Sequence, residues 1–153
     1  MKAEYINPFI SAAFHVLKEL LDMEPSKGSL DARREMCTSQ QCNVIVGVTG
    51  KIEGQVIYGM SLITADRIAS LMLGQPVKTF DHLAASAIGE MGNMITGNAG
   101  GRLADLGYAC QITPPSIVRG TNVKISTLCI PSLVIPIELP LGMIEIAVSL
   151  QER

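Results

Sequence analysis

Tryptophan is absent and aromatic residues make up only 4% of the chain. Charge is sparse too: 17% of residues are charged, twelve Lys and Arg stand against fourteen Asp and Glu, and no basic run occurs. Neutralising nucleic-acid phosphates needs a clustered basic face, so no nucleic-acid partner is expected. Long apolar runs are also missing. The stretch from Leu128 to Leu150 is broken by Pro131, Pro136 and Pro140 and carries Glu138 and Glu145. It therefore reads as buried strands and not as a membrane span, and no membrane partner is expected. The N-terminal segment has Glu4, Lys18 and Glu19 among its apolar residues and lacks the pattern of a signal peptide. Cys37, Cys42, Cys110 and Cys129 show no C-x-x-C spacing, which suggests reduced thiols and a cytoplasmic location. His15 and His82 stand apart from other ligand types, so neither a metal nor another cofactor is expected on this chain.

What is present is a core. With 48% hydrophobic residues in 153, the chain is too apolar for disorder and is expected to form one domain over 1–153. Asn7 followed by Pro8 reads as a helix cap and first turn, with an apolar stripe from Phe9 to Leu21 behind it. Extended segments are predicted over Leu30–Cys37, Asn43–Thr49 and Gln55–Ser61. A short helix over Thr64–Leu73 follows, with Thr64 as cap and Gly74 as stop; a longer one begins after Asp81 and ends before Gly107. Ala109–Val118, Val123–Ile130 and a hairpin over Leu133–Leu150, turning at Pro140-Leu141-Gly142, complete the chain.

The predicted fold is α/β of the α+β type, a central antiparallel sheet flanked by helices, built from a duplicated α-β-β-β unit. Gly54 and Ser61 recur as Gly142 and Ser149, and Glu4-x-x-Asn7 recurs as Glu90-x-x-Asn93.

The long helix carries the signal. At about 100° per residue, Ala84, Ile88, Met91, Ile95, Ala99, Leu103 and Leu106 form one core-facing sector. The opposite side holds Ser86, Glu90, Asn93 and Gly97, with Gly100 and Gly101 a turn further on. A merely solvated face would carry Lys, Arg, Gln and Glu. Each glycine costs about 1 kcal/mol against alanine in a helix interior, so five of them in one helix point to close approach by another surface. Gly92, nearer the core side, fits packing within the domain; Gly97 fits docking.

Glu90 and Asn93, spaced i, i+3, project side by side. The amide both donates and accepts and can orient a water; the carboxylate can fix a lysine of a docked molecule. No histidine base or second carboxylate lies nearby in sequence, so the pair reads as half a site, completed by a partner holding a metal and a reactive phosphoryl group. With nine Glu and five Asn, about 0.3 such spacings arise by chance, so their placement is the informative part.

The run from Ser86 to Ala99, the Ile112–Gly120 segment and the opening Asn7-Pro-Phe-Ile10 resemble the CheC/CheX/FliY family of bacterial chemotaxis phosphatases, the CheX type above all. That resemblance implies hydrolysis of the aspartyl phosphate on a CheY-like response regulator. Glu90 would pair with the regulator's active-site lysine and Asn93 would orient the attacking water. Ser86 and Gly97 would lie on the docking face, and Mg²⁺ would sit on the regulator. It also implies a homodimer formed through sheet contacts. Some relatives carry two working motifs, but Pro8 makes Asn7 read as a cap with Glu4 ahead of the helix, leaving one site per chain. Two other readings stay open: a non-catalytic binding module resembling the flagellar switch protein FliM, and an unrelated structural domain with a glycine-packed helix.

Asn98 is expected to bond a neighbouring segment, Met91 and Met94 to pack in the core or its rim, and Arg33-Arg34-Glu35 to form a solvated patch. Pro114-Pro115 is expected at a strand end or sheet edge.

Overall fold

A computed structural model describes residues 2–33, 40–121, 123–125 and 131–153. In chain order the elements are α1 (Ala3–Leu21), β1 (Ser26–Lys27), β2 (Asp31–Arg33), β3 (Cys42–Gly50), β4 (Ile52–Met60), α2 (Leu62–Leu73), α3 (His82–Asp105), β5 (Cys110–Ile112), β6 (Ser116–Arg119), β7 (Ser132–Leu139) and β8 (Gly142–Glu152).

Among the described residues, the strands join one eight-stranded antiparallel sheet in the order β1-β7-β8-β4-β3-β5, with β2 also on β7 and β6 also on β3. The α+β architecture and its duplication are as the sequence implies. Hairpins β3–β4 and β7–β8 are the repeated units, and their second strands pair at the sheet's centre, Val56 opposite Val148. The repeated helices α1 and α3 pack on each other.

Alternation in the strands decides which face is covered. Val44, Val46, Val56, Tyr58, Ile146 and Val148 are buried against residues of the three helices. Ile57, Val134 and Ala147 form a separate cluster on the opposite face, with Ile45 and Ile125. α3 is fixed to the sheet by polar contacts as well: the Tyr58 hydroxyl lies 2.7 Å from the Thr96 hydroxyl, which donates to the Gly92 carbonyl at 2.8 Å.

The start of α1 departs from the sequence reading. Lys2, not Asn7, occupies the cap position, and Pro8 lies inside the helix. The proline lacks the N–H that would bond the Glu4 carbonyl, yet burial of Tyr5 and Ile6 to 3% exposure holds the extra turn. Tyr108 reinforces it with an edge-on ring contact to Tyr5, centroids 5.1 Å apart, and a 2.6 Å hydrogen bond from its hydroxyl to Glu4. Glu4 is thus on the helix and not ahead of it.

The α2 helix begins two residues earlier than expected, because the Ser61 hydroxyl, not Thr64, caps it by accepting from the Thr64 N–H at 3.2 Å. Ala109–Val118 is not one strand but two. In the segment expected over Leu30–Cys37, Asp31–Arg33 is a strand, and Arg34–Cys37 lie outside the described residues. Val123–Ile125 is not in a strand, and 126–130, Cys129 included, are likewise outside.

Candidate functional site

α3 starts as its sequence demands: the Asp81 carboxylate accepts from the Ala84 N–H at 2.9 Å. Its core sector is as expected from Ala84 to Leu103, all at 0% exposure. Leu106 is the exception; it lies past the last helical turn and is 53% exposed.

On the outer side Ser86, Glu90 and Gly97 are exposed, as the pattern predicts. Glu90 makes no hydrogen bond or ion pair among the described residues, so its carboxylate is available to a docked cation. Met94, one turn beyond Glu90, is 38% exposed and belongs to this face, while Met91 is fully buried.

Asn93 is only half-buried, and its amide oxygen is buried without a hydrogen-bond partner. The outer face is therefore narrower than the helical pattern suggests. A ribbon made of β5 and β6 runs along the stripe Gly89–Asn93–Gly97, positions that repeat every four residues, and leaves Gly89 buried, Asn93 half-buried and Gly97 exposed. A methyl on Gly89 would lie 3.4 Å from Ile117 and 3.5 Å from Pro115; one on Gly97 would lie 3.8 Å from Ile112. Pro115 and Ile117 also wall an open cleft of about 490 Å³ that runs past His82, Ser86 and Glu90.

Gly92 packs within the domain, as the sequence suggests. A methyl on Gly92 would meet Val44 Cγ1 at 2.8 Å, so this glycine serves packing. Around Gly101 nothing lies within 4 Å.

The second copy of the motif is differently placed. Glu4 and Asn7 both reach the surface, where they line a groove of about 390 Å³ with Pro8, Ser11, Arg102 and Asp105. Unlike Glu90, Glu4 is engaged, by the Tyr108 hydroxyl and by Lys2 at 3.9 Å.

The remaining candidates have ordinary partners. Asn98 accepts from Arg102 Nε at 2.8 Å one turn along its own helix, not from a neighbouring segment. His15 pairs with Glu19 at 3.5 Å and His82 is exposed at the cleft rim. Arg33 is not free in solvent: it contacts Asp31 at 3.0 Å and Glu145 at 3.8 Å. Cys42 is buried and Cys110 half-buried, both as free thiols. Among the described residues no group of three potential ligands could hold a metal, and no helix is long and apolar enough to cross a membrane.

A family model described as chemotaxis phosphatase CheX matches residues 42–138. The chain belongs to the CheX family. A CheY-P phosphatase CheX from Thermotoga maritima is 35% identical over 128 residues, which is 83% of this chain and 83% of that relative. The CheX in a CheX–CheY–BeF₃–Mg²⁺ complex from Borrelia burgdorferi is 33% identical, with a TM-score of 0.79 over 97% of this chain and 98% of that one. A CheC-like superfamily protein from Shewanella sp. PV-4 superposes with a TM-score of 0.89 at 25% identity, covering 99% of both chains.

Proposed function

We propose that this CheX-family chain docks on a phosphorylated CheY-like response regulator and speeds hydrolysis of its aspartyl phosphate. Glu90 anchors the regulator's lysine, and Asn93 orients the water for in-line attack. Ser86 and Gly97 belong to the docking face, which keeps bulk away from the approaching partner. Mg²⁺ is expected on the regulator; a cytoplasmic location of this chain and its homodimer belong to the same proposal. The observation that carries the reading is the pair itself: an exposed, unpaired carboxylate one helical turn from an amide whose oxygen is unsatisfied. Buried polar atoms are nearly always paired, and exceptions call for a reason. Glu4 and Asn7 are assigned no catalytic role, because Tyr108 and Lys2 already hold the Glu4 carboxylate.

Division of labour follows from the chemistry. An acyl phosphate is already activated, and its magnesium site belongs to the regulator. The added protein has only to place a water, and a misplacement of about 1 Å can cost about 100-fold. Asn93→Ala is therefore expected to lower stimulated phosphate release by about 100-fold while leaving affinity for the regulator near wild type. Glu90→Ala is expected to weaken affinity and turnover together. Phosphate release and binding measured side by side check both. Wild-type turnover by the double variant would overturn the site. Binding without any acceleration by the unmodified protein would make it an adaptor like FliM.

A further inference from the structure

The β5–β6 ribbon is interrupted at a particular place. Val48 pairs with Ile112 and Ile45 with Ser116, so the two residues Val46 and Gly47 oppose the three residues Thr113, Pro114 and Pro115. This is a bulge with one extra residue. The Thr113 N–H donates to the Gly47 carbonyl at 3.0 Å. Its hydroxyl accepts from the Gly47 N–H at 2.8 Å and donates to the Pro114 carbonyl at 3.2 Å. Pro114 and Pro115 have no N–H at all. The bulge thus presents no free backbone donor.

It belongs to the stretch of ribbon that runs along the Asn93 stripe of α3. Ile112 touches the Gly97 position and Pro115 and Ile117 touch the Gly89 position, so helix and ribbon run side by side in opposite directions. From Gly89 to Gly97 the helix rises about 12 Å, with Asn93 at its midpoint. Between the two contacts the ribbon consists of Thr113 and Pro114, with Pro115 at the Gly89 end. The amide oxygen of Asn93 is buried and unpartnered among the described residues, and the donor-free bulge is the stretch of ribbon that runs past it.

We propose that the Thr113–Pro115 bulge is a positioning element that holds the Asn93 side chain by contact while denying its oxygen a hydrogen bond. This rests on the water-orienting role given to Asn93. The withdrawn amide has nothing to lose when it turns its oxygen toward the cleft on docking. A backbone N–H in the bulge would trap it against the ribbon. Pro114 and Pro115 are the residues that keep such a donor out.

The test uses the full chain, a phosphorylated CheY-type regulator, and Pro114→Ala and Pro115→Ala separately, each of which adds one N–H. At least one is expected to lower kcat about three- to tenfold, the worth of one hydrogen bond, with KM unchanged. In that variant the Asn93 ¹³Cγ resonance moves downfield, as a carbonyl does on accepting a hydrogen bond. In the unmodified protein the same resonance stands at the unbonded, upfield end and moves downfield when the regulator binds. A downfield ¹³Cγ in the free unmodified protein overturns the proposal, whether or not the variants fold. So does wild-type kcat in both folded variants, or a loss of kcat without movement of the resonance. Wild-type turnover by Asn93→Ala would instead remove the water-orienting role, while the resonance would still report on the bulge.

Discussion

At the scale of single residues, the glycines of α3 have two different occupations that substitution separates. Gly101→Ala adds a methyl where nothing lies within 4 Å and removes a helix-breaking residue, so it is expected to stabilise the fold by about 1 kcal/mol, a rise of about 2–4 °C in Tm. Gly92→Ala forces a methyl to 2.8 Å from Val44 and is expected to destabilise by about 1–3 kcal/mol. Thermal melts of the two variants check the pair of signs. Gly97→Leu joins this series from the functional side. Its position is exposed, with only Ile112 close by at 3.8 Å, so the fold tolerates the side chain while a docked partner would not. Lower affinity for the regulator with an undiminished Tm is the expected result.

At the scale of elements, helix starts separate local from distant causes. Asp81→Ala removes a cap that the structure uses and is expected to cost about 1 kcal/mol. Asn7→Ala, at a position the sequence marks as a cap, is expected to change stability by less than about 0.5 kcal/mol, because the side chain is exposed in mid-helix. Denaturant unfolding of both variants measures the contrast. The same division governs how much was legible. The span of α3, its core sector and the turn at Pro140-Leu141 are written in neighbouring residues: Asp81 at one end, Gly107 at φ 95° at the other, apolar residues at the right spacing between. What escaped was set by contacts remote in the chain. Pro8 reads as a first-turn residue until Tyr108, far along the sequence, is seen holding Glu4. Asn93 reads as fully exposed until the β5–β6 ribbon is laid along its stripe, and no periodicity within α3 announces that ribbon. Glu90, on the uncovered side, was legible for the converse reason.

At the scale of the whole molecule, the buried thiol and phenol make stability depend on alkaline pH. Burial pushes the Cys42 thiol up from its ordinary value of 9.0 to about 11, and it raises Tyr58 and Cys110 as well. A group held protonated in the folded state contributes fully below its unfolded pKa, and the contribution is lost as pH rises through the folded one. Stability is therefore expected to fall between about pH 9 and pH 11, with a shallower fall in Cys42→Ala, as read from urea unfolding across that range.

The central β4–β8 pair has a further consequence. These strands are counterparts in the two repeats, and each completes the hydrogen-bonding ladder of the other. Neither repeat owns an inner boundary: severed between α2 and α3, each would present a long, apolar, unsatisfied strand to solution. The cheapest cover for such a strand is another like it. An isolated repeat would thus be pressed into pairing with its own twin along that seam, rebuilding from two identical pieces what the intact chain builds from two divergent ones.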